Sequence, residues 1–209
     1  MQQPGDRHDH PPLRRADLSG NPIEQFGRWY EEARESVDLP DAMGLATAAP
    51  DGAPDVRMVL LKEFDTEGFR FHTNYESVKG THLEGNPLAA IVIYWRELDR
   101  QVRARGSVEQ LDPVESGRYF QTRDRDSRLG AWASPQSRTL ENREELEERY
   151  QQVRARFEDT EDVPRPEFWG GYLLRPERVE FWQGHSARLH DRFLYTRENG
   201  DWRIERLAP

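Results

Sequence analysis

The chain has 209 residues, 30 of them lysine or arginine against 39 aspartate or glutamate, for a net charge of -9. That length suits one domain with an ample core, and the acid excess argues against a general binder of nucleic acid or anionic membrane, so any anionic ligand must be held by a local basic pocket. Cysteine is absent, which excludes disulfides, thiol nucleophiles and cysteine-based metal sites.

Residues 1–20 read as a poorly ordered tail, opening on the polar, Pro-rich "MQQPGDRHDHPP" that lacks the apolar core of a signal peptide. Residues 21–209 read as a single domain. "NPIEQFGRWYEEARESV" is an amphipathic helix with Asn21 as N-cap, Pro22 at the first helical position, and Ile23, Phe26, Trp29, Tyr30, Ala33 and Val37 on one side. From residue 43 short apolar runs alternate with turn signals: "MGLATAA", the turn "PDGAPD", "VRMVLLKEF", the turn "DTEG", and "FRFHTN". "SVKGTHLEGNP" is a short helix, followed by the strands "LAAIVIYW" and "RQVRARGSVEQL". About five antiparallel strands in succession predict a barrel or sandwich.

"DPVESGRYFQTR" and "DSRLGAWAS" are then short helical segments, and "TLENREELEERYQQVRARF" is a long charged helix with a thin stripe of Leu140, Leu146, Tyr150, Val153 and Phe157. Past the linker "EDTEDVPRPE" come the strands "GGYLLRP" and "RVEFWQG". The closing "RLHDRFLYTRENGDWRIERLAP" holds Asn199-Gly200, a two-residue hairpin signal that sets His190 opposite Pro209.

No run of residues approaches the roughly 20 apolar positions of a membrane span, and a cytoplasmic location is expected. The histidines (His8, His10, His72, His82, His185 and His190) lack HExxH spacing, so no metal site is expected; neither GxGxxG nor GxxxxGK[ST] occurs.

Three basic features point to chemistry. In an extended strand Arg188, His190 and Arg192 share one face and Leu189, Asp191 and Phe193 the other, which gives either an anion or catalytic site or a solvated face. Lys62 and Lys79 are the only lysines; Lys79 opens a helix, where backbone N–H groups favour an anion. Arg57 and Lys62 are an odd number of residues apart, so a regular strand puts them on opposite faces unless it bulges or a ligand wraps its end. Tyr119, Arg123 and Ser127 recur at i, i+4 and i+8, one stripe if the helix is continuous. An arginine with two hydroxyls suits a phosphate monoester, each charge-assisted hydrogen bond contributing roughly 1.5 to 3 kcal/mol; the alternative is an ordinary polar face.

The blocks "RMVLLK", "TNYESVKG", "LDRQV", "YFQTRDRDSRLGAWAS" with Gln136 and Ser137, "FWGGY", "EFWQG", "RLHDRF" and "WRIERLAP" together resemble the pyridoxamine 5'-phosphate oxidase family, in order and spacing, from about Asn21 to Pro209. The resemblance implies a mainly β (α+β) fold: an antiparallel, Greek-key-like, FMN-binding split β-barrel with flanking helices, homodimeric, with FMN in clefts between subunits and a C-terminal hairpin serving dimerisation and the active site. It implies cofactor contacts from Arg57, Met58, Val59, Leu60, Leu61, Lys62, His72, Thr73, Lys79, Gln101, Gln136, Ser137, Trp182 and Arg192. Lys62, Tyr119, Arg123 and Ser127 would hold the substrate phosphate, and Arg188 and His190 would stand over the substrate ring as catalytic residues. The implied reaction is oxidation of pyridoxine or pyridoxamine 5'-phosphate to pyridoxal 5'-phosphate with O₂ as acceptor and hydrogen peroxide as product. The alternatives are a split-barrel flavin or deazaflavin reductase acting on another substrate, and a non-catalytic flavin or vitamin-phosphate binding protein. Three features depart from the family's pattern. His72 stands where Tyr is usual, Val78 where an Arg usually precedes the Lys, and the segment ahead of "LRRADL" is short beside the substrate-covering segment of many members.

Overall fold

The computed structural model describes residues 11–209. Among them, nine antiparallel strands form one curled sheet: β1 (Ala42–Ala48), β2 (Pro54–Leu60), β3 (Glu63–Asp65), β4 (Gly68–Asn74), β5 (Leu88–Trp95), β6 (Arg100–Gln110), β7 (Trp169–Gln183), β8 (Asp191–Glu198) and β9 (Asp201–Leu207). Five helices flank it: α1 (Pro22–Ser36), α2 (Val78–Gly85), α3 (Pro113–Thr122), α4 (Arg125–Ala133) and α5 (Arg143–Arg156). The spatial order is β2-β1-β5-β6-β7-β4-β3, with β8 pairing β7 and β9 pairing β8. No helix of the described residues is long and apolar enough to cross a membrane.

Two local events turn this sheet into a split half-barrel. The run "VRMVLLKEF", predicted as one strand, is interrupted between β2 and β3. There the Leu61 N–H donates to the Asp41 carbonyl (2.8 Å) and the Lys62 N–H to the Arg70 carbonyl (2.9 Å). Successive amides thus bond to segments at opposite ends of the strand order, which brings those ends together. Conversely, "GGYLLRP" and "RVEFWQG", predicted as two strands, are one strand, β7. Its first half pairs with β4, from Asn74↔Trp169 to Phe69↔Leu174, and its second half with β8, from Arg178↔Thr196 to Gln183↔Asp191. The register against β6 shifts between Arg105 and Gly106, opposite Pro176. Proline has no N–H to give the ladder, so the change of partner falls where pairing is already broken.

The helix α1 fills the concave side. Asn21 caps it by accepting from the Ile23 N–H (2.8 Å), Pro22 opens it, and Ile23, Phe26, Trp29 and Ala33 are buried, as expected. The Phe26 ring meets Phe64 and Phe69 edge-on at 4.8 and 5.0 Å, and Trp29 meets Phe181 at 5.2 Å. Each such burial contributes about 1.5 to 3 kcal/mol. A smaller core of Leu129, Phe157 and Val163, with Trp132, Tyr150 and Val153 against it, ties α4 to α5, whose own residues are otherwise solvated.

The hairpin signal is realised: Glu198 pairs with Asp201 around Asn199 (φ 53) and Gly200 (φ 93), and pairing runs back to Arg192 with Leu207, while His190, expected opposite Pro209, lies before the strand begins. Residues 11–20, expected from sequence to belong to a poorly ordered tail, pack against the domain. Leu13 and Leu18 are buried, the Leu13 N–H donates to Asp191 (2.7 Å), and the Tyr195 hydroxyl donates to the Ser19 carbonyl (2.8 Å). Residues 1–10, including His8 and His10, lie outside the described residues.

Candidate active site

Adjacent residues of β4 look to opposite sides, and each side carries a cationic cluster. On one side the His72 ring stacks on Tyr119 of α3 (centroids 3.9 Å, interplanar 18°) and on Trp169 of β7 (5.3 Å), while the Arg123 guanidinium lies 4.8 Å over Trp169. Burial, with the charges of Arg123 and Lys62 behind it, pushes the His72 pKa down to about 4. Burial also lowers that of Arg123, against the opposing influence of Tyr119 and Asp124. Neither ring nitrogen of His72, nor Nη1 of Arg123, has a hydrogen-bond partner among the described residues. Gly171 permits this packing: a Cβ there would stand 2.8 Å from His72 Nε2 and collide with Leu111.

On the other side, Thr73 Oγ1 donates to Gln136 Oε1 (3.0 Å). Lys79 Nζ donates to the same oxygen (2.7 Å) and to Ser77 Oγ (3.1 Å). Burial and then the charge of Arg57 lower the Lys79 pKa to about 8, with Asp55 a lesser opposing influence. Arg57 is pinned by the Leu45 carbonyl (3.2 Å), Thr47 Oγ1 (2.7 Å) and Asp55 (2.6 Å). Ser137, beside Gln136, lies in the left-handed region at φ 70. Along β2, Met58 and Leu60 face solvent while Val59 packs on the core and Leu61 is buried.

The structure decides two conditional readings of geometry and corrects a third. The parity that separated Arg57 from Lys62 does not apply, because the strand breaks at Leu61 and Lys62; the Lys62 ammonium pairs with Asp41 at 3.6 Å. Tyr119, Arg123 and Ser127 fall on the two separate short helices read from the sequence, so the single stripe that a continuous helix would give does not form. Arg123 (φ -75, ψ 148) ends α3, and Asp124 caps α4 by accepting from the Ser127 N–H (2.8 Å). A capping side chain competes with helix continuation, and that is what breaks the stripe. Nor do Arg188, His190 and Arg192 alternate along a strand. β8 begins only at Asp191, and Ser186–Arg188 form a 3₁₀ turn with Ala187 (φ 53) and Arg188 (φ 60) both left-handed. Two such non-glycine residues cost on the order of 1 kcal/mol or more each and need contacts to hold them.

The remaining predicted residues form a second group. Gln101, Trp182 and Arg192 sit side by side across β6, β7 and β8, and the His190 ring lies 4.6 Å from Trp182. Arg192 is engaged by Glu180 (2.8 Å) and the Ala208 carbonyl (2.8 Å). Burial alone would raise the Glu180 pKa, but Arg192 and Arg103 outweigh it and keep the carboxyl below its usual range. Asp191 behaves alike: burial is outweighed by hydrogen bonds from Arg206, the Leu13 N–H and His185. His72 pairs with Gly171 and Gln101 with Trp182, eleven residues farther along β7, roughly 36 Å of strand.

Sequence reasoning assigned no role to Trp169, His185, Asp191 or Glu180. The first was signalled by "FWGGY", since two glycines after a large aromatic leave room for rings from neighbouring strands; the others had no local signal.

A split antiparallel half-barrel with a cation cluster on each side of β4 places the chain in the FMN-binding split-barrel class. The chain belongs to the pyridoxamine 5'-phosphate oxidase family: residues 30–157 match that family, and residues 169–209 match the pyridoxine 5'-phosphate oxidase C-terminal dimerisation region. It is 53% identical over 200 residues to the pyridoxine/pyridoxamine 5'-phosphate oxidase of Salinibacter ruber, covering 94% of this chain and 93% of that one. To the protein of the same description from Rubrobacter xylanophilus it is 56% identical over 190 residues, covering 90% and 87%. Among solved structures, PhzG from Burkholderia lata 383, in complex with tetrahydrophenazine-1-carboxylic acid, superposes with a TM-score of 0.88 at 32% identity, covering 95% of this chain and 98% of that one. A pyridoxamine 5'-phosphate oxidase-related, FMN binding protein from Nostoc punctiforme shares the fold, with a TM-score of 0.72 at 20% identity over 92% of this chain and 100% of that one.

Proposed function

We propose that this chain is an FMN-dependent oxidase that converts pyridoxine or pyridoxamine 5'-phosphate to pyridoxal 5'-phosphate in the cytoplasm, with O₂ as electron acceptor and hydrogen peroxide as product. The observation that carries the reading is the pair of cation clusters on the two sides of β4. FMN and the substrate each present one phosphate monoester, and each cluster suits one. Among the described residues Lys79 is a buried ammonium hydrogen-bonded to neutral oxygens, its pKa lowered by burial and then by Arg57, and a phosphate there would supply a countercharge. Among the described residues Arg123 Nη1 is a buried donor without an acceptor, close to Tyr119, and both Arg123 and Lys62 act on the His72 ring. Neither cluster has a Gly-rich cradle for a pyrophosphate.

Lys79, Arg57, Thr73, Gln136 and Ser137, with the backbone from Met58 to Lys62, would hold FMN from one subunit, and Gln101, Trp182 and Arg192 from the other. His72, assigned to the cofactor from sequence, turns its side chain to the substrate side with Tyr119 and Arg123. When bound, FMN supplies the two-electron redox chemistry between substrate and O₂. The protein's share is orientation. Lys62, Tyr119, Arg123 and Ser127 anchor the phosphate, Arg188 orients the ring, and His190 hydrogen-bonds the reacting hydroxyl or amine.

A homodimer completes the reading: the two groups, apart along β7, would come from different subunits at each site. The matched dimerisation region supports it, as do Val56 and Met58, 65% and 68% exposed on β2 beside an outer groove of about 420 Å³ lined by Gly44, Ala46, Val92, Leu194 and Leu207.

The test is the visible spectrum of the purified protein, the flavin released on denaturation, and bleaching by pyridoxine 5'-phosphate without oxygen. A yellow dimer that releases FMN and bleaches is expected. A colourless protein that also fails to bind added FMN overturns the reading; a yellow protein that neither vitamin phosphate bleaches points to the reductase or binding-protein alternatives.

A further inference from the structure

The turn from β7 to β8 carries Arg188 and His190, and it is closed at both ends by a residue with no part in the mechanism above. The His185 Nε2 lies 2.7 Å from Asp191 Oδ2, and the His185 backbone N–H donates to His190 Nδ1 (3.1 Å). An ionised carboxylate only accepts, so the hydrogen of the first bond sits on His185 Nε2. The second bond makes His190 Nδ1 an acceptor, which puts the proton of the neutral ring on Nε2. Asp191 is itself immobilised: its side chain is 9% exposed, and it also accepts from the Leu13 N–H (2.7 Å) and from Arg206, which in turn bonds the Leu13 carbonyl (2.7 Å). Between these ends the chain passes through the left-handed Ala187 and Arg188, and Ser186 to Leu189 are all exposed. A turn of that kind persists only where surrounding contacts over-determine it.

We propose that His185 is a positioning residue: its side-chain bond to Asp191 and its amide bond to His190 hold the turn that presents Arg188 and fix the His190 tautomer that faces the substrate. The role rests on the oxidase reading; the clamp and the tautomer do not.

The experiment compares the FMN-loaded dimer with His185→Phe, which keeps a ring and loses the donor, His185→Gly, which removes the side chain, and His185→Gln, whose amide nitrogen can donate where Nε2 does. Two quantities are read: kcat and KM for pyridoxine 5'-phosphate, and the ¹⁵N shifts of histidine-labelled protein, which report the His190 tautomer. Wild type should show His190 with its proton on Nε2. The Phe and Gly variants should lose that single-tautomer signature and about five- to tenfold in kcat/KM at unchanged FMN content, while Gln stays within twofold. Phe and Gly variants within twofold of wild type, or a Gln variant as impaired as Phe, overturn the proposal. If the Phe variant does not fold, the Gly and Gln pair decides. If wild type oxidises neither vitamin phosphate, the oxidase reading fails by itself, and an unaltered His190 signature in His185→Gly separately overturns the clamp.

Discussion

Replacing Arg123 by alanine separates a ligand-binding residue from a packing residue. The guanidinium stands 4.8 Å over Trp169 and 5.5 Å over Phe120, and its buried Nη1 has no hydrogen-bond partner among the described residues. Losing two cation–π contacts costs about 0.5 to 1 kcal/mol each. Removing a buried donor that lacks an acceptor returns about 1 to 3 kcal/mol. The folded protein should therefore lose no more than about 1 kcal/mol of stability and gain no more than about 2 kcal/mol. Substrate binding loses a charge-assisted hydrogen bond to phosphate of about 1.5 to 3 kcal/mol, roughly ten- to 150-fold in affinity. Steady-state kinetics with pyridoxine 5'-phosphate at saturating FMN should show that rise in KM, with flavin content unchanged and the urea midpoint little lowered. A KM within threefold of wild type together with a stability loss above about 2 kcal/mol would make Arg123 a packing residue. Loss of FMN in parallel would put it in the cofactor site.

Lys79→Ala should act on the other cluster, weakening FMN retention by roughly tenfold or more while leaving the substrate KM close to wild type once flavin is saturating; the reverse pattern, measured by flavin titration and kinetics, refutes the division across β4. His72 makes stability sensitive to acid. Its folded pKa of about 4 lies below the roughly 6.5 of an unfolded chain, so its contribution is intact above pH 6.5 and is lost progressively as pH falls toward 4, by up to about 3 kcal/mol. Urea unfolding across that range should show a shallower decline for His72→Phe, which keeps the stack on Tyr119 and Trp169; equal slopes would refute the assignment.

What the amino-acid order determined by itself was whatever depends on neighbours a few residues apart. Asn21-Pro22 and the apolar spacing behind them specify α1, because a cap and one buried stripe are local properties. Asn199-Gly200 specifies the last hairpin, because few residues tolerate two successive positive φ angles. The order along the chain of the residues proposed to bind phosphate was read for the same reason. Tertiary structure decided where strands change partners. Nothing within "VRMVLLKEF" says that the Leu61 amide will find Asp41 and the Lys62 amide Arg70, and that step frees Lys62 from the parity of Arg57. Likewise Asp191, bonded to the Leu13 N–H and Arg206 as well as to His185, closes the turn that keeps Arg188 and His190 out of the strand they were expected to share. Each of these depends on a carboxylate or carbonyl choosing among several donors, and folding places the competing donors, some of them more than a hundred residues apart in the chain. The same holds for the proposed site: which residues share a face of β4 follows from strand parity, but that Gln101, Trp182 and Arg192 lie far along β7 from His72 is a property of the sheet.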